Sequence, residues 1–325
     1  MEMFSAHALL TTSVMGTQAW LWLVFLVLIA VLLTLDLGLL NRRDHEIGIA
    51  ESLELSAGYV GIAFLFGLWV TWHAGKSDAL IYYTGYLIEE SLSIDNIFVI
   101  SLILGNYKIP RQYQHRVLFW GIVGVIVLRG IFIGAGTVLI SQFQWVLYLF
   151  GIFLLYTGIK MFSSQEMSHS ITDHPVLIWL RRHLNLTTDF NGHDFFILRP
   201  DPTKPDHLQR WATPLFQALV LVELSDIAFA VDSVPAILAI TQDPYLVYTS
   251  NIFAILGLRS LYFALSALIH RFCYLKFSLS LILIFVSIKI FLFGAGIKTP
   301  PLVSLSVISS LLAGGIFYSL YRTRD

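Results

Sequence analysis

The sequence predicts an all-α polytopic membrane protein of about nine transmembrane helices that contains two inverted three-helix repeats. Three observations carry this expectation. The 325 residues are 57% hydrophobic and 13% charged, with a mean hydropathy of +0.75, against roughly 25% charged for a soluble domain. Apolar runs of about 20 residues, the length that crosses a bilayer core, recur along the chain. Two of these runs, far apart in sequence, carry acidic residues at matching spacings.

Taken in order, the expected spans are 18–40, 56–74, 80–104, 117–140, 145–162, 212–240, 247–270, 277–296 and 301–321. The segment before the first span lacks a basic n-region. LWLVFLVLIAVLLTLDLGLL then runs into Asn41, Arg42 and Arg43 without a small-residue cleavage site, so a retained helix is expected rather than a cleaved signal peptide. Residues 1–79 hold helices one and two, 80–162 the first repeat, and 212–296 the second. Residues 297–325 hold the ninth helix and the tail. Between the repeats, 163–211 reads as a polar cytoplasmic connector, in which HPVLIWLRRHL (174–184) predicts a short amphipathic helix with Asp173 as its N-cap.

Charge orients the chain. Fourteen of the twenty Lys and Arg fall in loops on one side; Lys76 and Lys298 alone fall on the other, and Arg129, Lys160, Arg259 and Lys289 lie within spans. Basic loops stay in the cytoplasm, so the N-terminus is expected outside and the C-terminus in the cytoplasm.

The repeat emerges when EESLSIDN (89–96) is set against ELSDIAFAVDS (223–233). With Asp95 on Asp232, Glu89 falls on Asp226 and Asn96 on Ser233. Arg129 and Arg259 then correspond, as do Lys160 and Lys289, with an Arg-to-Lys spacing of 31 residues in one copy and 30 in the other. Each copy holds three helices, an odd number, so the second enters the membrane from the opposite side. Inverted repeats of this kind occur in secondary transporters, which bind substrate near the midplane between the copies.

The acids are expensive where they lie. Thirteen Leu, Ile, Phe and Val residues of span three favour insertion by roughly 4–8 kcal/mol, while Glu89, Glu90 and Asp95 oppose it by roughly 8–10. Such a helix must turn its acids toward other helices, a wet cavity or a cation, which makes them functional candidates. Glu89 shares a helix face with Asn96, and Asp226 with Ser233; Asp95 and Asp232 lie about 100° round from these faces. Pro235 predicts a break in the turn containing Val231 and Asp232.

Glu89, Asp95, Asn96, Asp226, Asp232 and Ser233 together supply an oxygen-rich set suited to a hard divalent cation. All ten histidines fall in loops or at span ends, and Cys273 is the single cysteine, so a buried His or Cys metal site is not expected. Arg129 and Arg259 read as counter-charges, and Lys160 as a snorkelling residue. Glu223, one turn before Asp226, and Asp36, near the end of span one, are candidates for an extended site or pathway. Asp36 equally fits a pair with Arg42 or Arg43, and Asn96 and Ser233 fit helix-to-helix hydrogen bonding. Glu90 aligns with Ile227 and is set apart. No nucleotide-binding loop, HExxH or nucleophile elbow is present, so no enzyme and no ATP-driven pump is expected. Nor are a permanently bound cofactor or a nucleic-acid partner expected; the partners are the lipid bilayer and a cation.

DLGLLNRRDHE (36–46), GYLIEESLSIDNIFV (85–99), VLRGIFIGAG (127–136), LVELSDIAFAVDSVPAI (221–237) and TSNIFAILGLRSLYF (249–263) resemble the TerC family of integral membrane proteins, closely its Alx-type members. The resemblance implies Mn2+ efflux across the bacterial inner membrane, possible proton antiport being suggested by the surplus of carboxylates. Two alternatives remain open. One is a small-solute exporter, of amino acids for example, using Arg129 or Arg259 for a substrate carboxylate. The other is a membrane interaction protein linked to tellurium resistance or to secretion machinery.

Overall fold

The computed structural model describes residues 12–35, 48–163, 184–201, 204–265, 274–297 and 299–323. Asp36, Cys273 and residues 174–183 of the expected amphipathic helix lie outside the described residues, as do the side chains of Asp95 and Arg259.

Among the described residues are nine α-helices: α1 (Ala19–Leu35), α2 (Ile49–His73), α3 (Lys76–Asn106), α4 (Arg111–Gln142), α5 (Val146–Ser163), α6 (Pro214–Leu238), α7 (Pro244–Leu265), α8 (Leu275–Gly294) and α9 (Pro301–Arg322). Helix is the form in which an apolar chain can satisfy its own backbone in hydrocarbon. Six of them, α2, α4, α5, α6, α8 and α9, are long and apolar enough to cross a membrane. α1 and the first part of α7 are shorter apolar segments, and α3 is a continuous helix that carries Glu89, Glu90 and Asp95 within its apolar length.

Helix starts follow the sequence. Pro214 and Pro301 occupy first-turn positions, where no backbone N–H is needed. Asp243 caps α7 by accepting the N–H groups of Tyr245 at 2.9 Å and Leu246 at 3.3 Å. The expected break at Pro235 does not occur: α6 runs through Val231 and Asp232 to Leu238, and the Pro235 carbonyl accepts the N–H of Ala239 at 3.0 Å. Pro235 withholds one N–H from the Val231 carbonyl, and the helix nonetheless keeps its course on both sides.

The connector between α5 and α6 departs from its expected form. Its described part is a small sheet in the order β3 (Asn185–Leu186), β5 (Lys204–Ala212), β4 (Phe196–Asp201), with β4 antiparallel and β3 parallel to β5. The Thr213 hydroxyl donates to the Asp194 carbonyl at 2.7 Å, and Arg116 lies 5.4 Å from the Phe195 ring centre. These contacts tie the sheet to the starts of α6 and α4. A separate hairpin, β1 (Ser13–Val14) with β2 (Thr17–Gln18), precedes α1.

Three helix pairs frame the centre. In α3 and α7, Gly85 lies against Ser250 and Glu89 meets Asn251, so the two run parallel. α4 and α6 are also parallel, with Gly121 against Val222, Gly124 against Glu223 and Gly136 against Leu238. α5 and α8 are antiparallel: Ser287 donates to the Gly151 carbonyl at 2.7 Å, and Ser280 to that of Gly158. Glycine is required at 158, since a Cβ there would stand 3.1 Å from the Ser280 carbonyl. Phe25, Phe66 and Phe253 pack α1, α2 and α7 together.

The outside of the bundle is apolar. Leu65, Leu68 and Trp72 on α2, Val127 and Ile131 on α4, and Phe317 and Tyr321 on α9 are all exposed, while Ser52, Glu89, Arg129, Asn251 and Ser280 are buried. Polar side chains inside and apolar ones outside are what a hydrocarbon solvent selects.

Candidate functional site

Arg129 of α4 is the largest fully buried side chain described, and it organises the centre of the bundle. Its Nε donates to Asp226 Oδ2 at 3.3 Å and its Nη2 to Asp226 Oδ1 at 3.2 Å. This is the fork-on-fork arrangement that a guanidinium makes with a carboxylate. Nη2 also stands 3.0 Å from Glu89 Oε1 of α3, off the hydrogen-bond direction. Nη1 donates to the hydroxyl of Ser233, one helical repeat beyond Asp226 on the same face of α6. Asn251 of α7 completes the cluster by donating to Glu89 Oε2 at 2.8 Å.

Four helices thus contribute to one polar centre. The local sequence explains how. Residues seven apart share a helix face, which turns both Asp226 and Ser233 toward α4, and small residues allow the close approach. Gly130, next to Arg129, has Tyr248 as its nearest neighbour, and Gly124 lies directly against the Glu223 carboxylate. Two acids and one guanidinium leave one negative charge if both acids are ionised, and the remaining oxygens draw on neutral donors.

The other candidates are distributed around this centre. Asn96 lies on the next turns of α3, where its buried Oδ1 has no hydrogen-bond partner. Asn96 and Asp226 line a cavity of about 30 Å³ together with Ser225 and apolar residues of α3, α4, α6 and α7. Glu223 sits by Asp226, with its buried Oε2 unpartnered. Asp232 points elsewhere, toward Thr157 on α5, and is half-buried. Glu90 turns toward Tyr86 and has Gly257 of α7 close by. Lys160 is exposed beside Tyr156, 6.0 Å from its ring centre.

The structure therefore brings Glu89, Asp226 and Ser233 together on Arg129, sets Asn96 across a small cavity, and separates Asp232 from them. Among the described residues no three His, Cys, Asp or Glu side chains converge as a metal cage. Asn251 was not singled out from the sequence. The available signal was a carboxamide in the polar run YTSN (248–251) at the start of span 247–270, where a polar group needs a partner.

The arrangement can hold a positive charge between two carboxylates in a dry setting. In this conformation the charge is supplied by the protein itself. The cavity beside Asp226 exceeds the 10–15 Å³ or so that a water needs and falls far short of the roughly 300–1,000 Å³ of organic-ligand pockets.

Comparison with known proteins agrees with a membrane assignment. The profile of the integral membrane protein TerC family matches residues 74–325. An uncharacterized membrane protein of Myxococcus xanthus, STKORF319, is 45% identical over 304 residues, which cover 94% of this chain and 93% of that one. An uncharacterized membrane protein of Rickettsia bellii is 44% identical over 301 residues, covering 93% and 97%. A protein of Escherichia coli K12, Alx, provisionally described as a membrane-bound redox modulator, is 42% identical over 301 residues, covering 90% and 91%. No solved structure matches the chain.

Proposed function

From the premise that this chain belongs to the TerC family of integral membrane proteins, we propose that it is a secondary transporter. Its substrate is a hard divalent cation, Mn2+, exported from the cytoplasm across the bacterial inner membrane, with protons as the counter-ion. One observation carries the reading. Glu89 and Asp226, which occupy corresponding positions in the two sequence copies, meet at the buried centre on a single guanidinium. Asp226 also lines a cavity of water or ion size.

Helix directions support the inverted repeat and its nine spans. Exchanging α3, α4 and α5 for α6, α7 and α8 maps the parallel pair α3–α7 onto the parallel pair α4–α6. It maps the antiparallel pair α5–α8 onto itself. Odd-numbered α3 and α7 being parallel, and α5 antiparallel to α8, agrees with a chain that crosses at each helix.

On this reading Arg129 is a tethered cation that keeps Glu89 and Asp226 balanced when no ion is bound. Mn2+ takes its place when the helices rearrange, with Asp95, Asn96, Asp232 and Ser233 as further oxygen donors. Glu223 and Asp36 extend the path. The choice of manganese rests on the family resemblance; the side-chain chemistry supports a hard cation. An amino acid needs a larger chamber than the one beside Asp226.

The description of the Escherichia coli relative favours a second reading, redox modulation. A dithiol within this chain is impossible with one cysteine, so such a role would run through transported metal or a partner's thiols. Mn2+ flux into proteoliposomes tests the proposal. Wild-type flux that Asp95→Asn and Asp232→Asn each abolish is the expected result. A wild type that moves no Mn2+, or amide variants that match it, would overturn the carrier reading. Flux unchanged by collapse of the pH gradient would remove the proton coupling alone.

A further inference from the structure

Lys289 is the sequence counterpart of Lys160, yet the two are placed differently. Lys160 lies in the last turn of α5, where a cation complements the helix dipole, whereas Lys289 lies before the last turn of α8. Lys160 is exposed, as snorkelling requires. Lys289 is half-buried and lines a cavity of about 510 Å³ between the ends of α6 and α8 and the starts of α5 and α9. Among the described residues it makes no ion pair and no hydrogen bond.

The rest of the lining explains what this cavity accepts. Gln144 and Gln242 offer carboxamides, Thr241, Thr299 and Tyr148 offer hydroxyls, and among the described residues no Asp or Glu lines the cavity. The Thr299 hydroxyl is buried without a partner. An ammonium group withdrawn from bulk water costs free energy unless an opposite charge or several acceptors meet it. Here no described lining residue carries the opposite charge, the carboxamides and hydroxyls can turn donors toward a ligand, and the volume lies within the range of small-ligand sites. The loops that frame the cavity are those the charge pattern places outside.

We propose that this cavity is an anion-binding site whose ligand is a phosphate or carboxylate group held by Lys289. The group belongs to either a small free anion or the headgroup of an anionic lipid at the outer surface. Lys289 supplies the charge, and the Gln144 and Gln242 amides with the Thr299 hydroxyl supply neutral donors. The site is separate from the Arg129 centre and does not depend on what that centre transports.

The test uses the full chain in nanodiscs of phosphatidylcholine. Inorganic phosphate is titrated and followed by thermal stabilisation; phosphatidylglycerol is added in a parallel series and retained lipid is counted by native mass spectrometry. Wild type should bind at least one probe. Lys289→Gln should weaken that binding by about tenfold or more, as loss of a charged donor predicts. Lys289→Arg should retain it within about threefold, and Lys160→Gln should leave it unchanged. Gln242→Leu, which keeps the charge, should weaken binding by a smaller factor and guards against a folding defect in the lysine variant. Phosphate binding identifies a free anion, and phosphatidylglycerol binding alone identifies a lipid. Binding of neither, or binding that Lys289→Gln leaves intact, overturns the proposal. Mn2+ flux measured on the same variants separates this outcome from failure of the carrier reading.

Discussion

Replacement of Arg129 by methionine tests the central arrangement most directly. The side chain is wholly buried and touches Glu89 at 3.0 Å and Asp226 at 3.2 Å. At an effective dielectric of about 20, each such pair contributes about 4 kcal/mol of attraction near 4 Å. Part is recovered when the orphaned carboxylates take up protons, so the expected net loss is about 3–5 kcal/mol, the range for a buried pair that loses one member. The assay is thermal unfolding of the purified protein in detergent. Arg129→Met should unfold at a distinctly lower temperature than wild type. Adding Glu89→Gln and Asp226→Asn to it should recover much of the loss, because neutral amides need no counter-charge. Mn2+ should stabilise Arg129→Met more than wild type, since the two carboxylates are then released; at a concentration of about 100 Kd the gain is about 2.7 kcal/mol. A single variant as stable as wild type, or a triple variant no better than the single, would refute the account of Arg129 as the balancing charge. Equal Mn2+ stabilisation of both proteins would refute its role as a tethered stand-in for the ion.

Three further outcomes follow from the packing. Asn251→Leu removes the donor to Glu89 Oε2 and should cost about 1–3 kcal/mol, read as a lower unfolding temperature that Arg129→Met does not lower additively. Gly158→Val places methyl groups where a Cβ already stands 2.9 Å from Ile284 and 3.1 Å from the Ser280 carbonyl; overpacking of about 1–3 kcal/mol is expected, again by thermal unfolding. Cys273→Ser should leave Mn2+ flux unchanged, because the proposed ligands are all oxygens.

Most of the helices were legible because a bilayer imposes a length and a composition that few other environments do. The elements that were not legible lie where other forces decide. The β4–β5 hairpin comes from FFILRPDPTKPDHLQRWA, whose prolines and charges read as a solvated connector. Its strands are held by pairing and by the contacts of Thr213 and Arg116, which local pattern does not reveal. Pro235 misled for a related reason. A proline crowds the turn before it, but α6, held against α4 by contacts such as Leu238 on Gly136, keeps its course through that turn. At the centre, helical spacing correctly put Glu89 with Asn96 and Asp226 with Ser233 on common faces. Which face meets which helix was beyond a one-dimensional reading. That is why Asp232 was grouped with Asp226, although it faces Thr157, and why Asn251 went unnoticed.

The asymmetry of the centre bears on how a carrier of this design would work. Glu89 and Asp226 are counterparts in the two copies, so an exchange of copies leaves the pair in place. Arg129 has no such standing: it belongs to the first copy, and its counterpart is Arg259. A structure in which Arg129 serves the shared pair is therefore one of two related conformations on the inverted-repeat reading. Exchange of the two copies' conformations, the usual basis of alternating access, would bring Arg259 to the same carboxylates. Lys160 and Lys289 differ in the same sense, one exposed and the other against a cavity. Whenever Arg129 leaves the pair, two buried carboxylates would stand unbalanced, which is costly. A divalent cation or two protons can meet that cost. On the carrier reading, the charge that balances Glu89 and Asp226 would thus also tie movement of the helices to occupation by the ion.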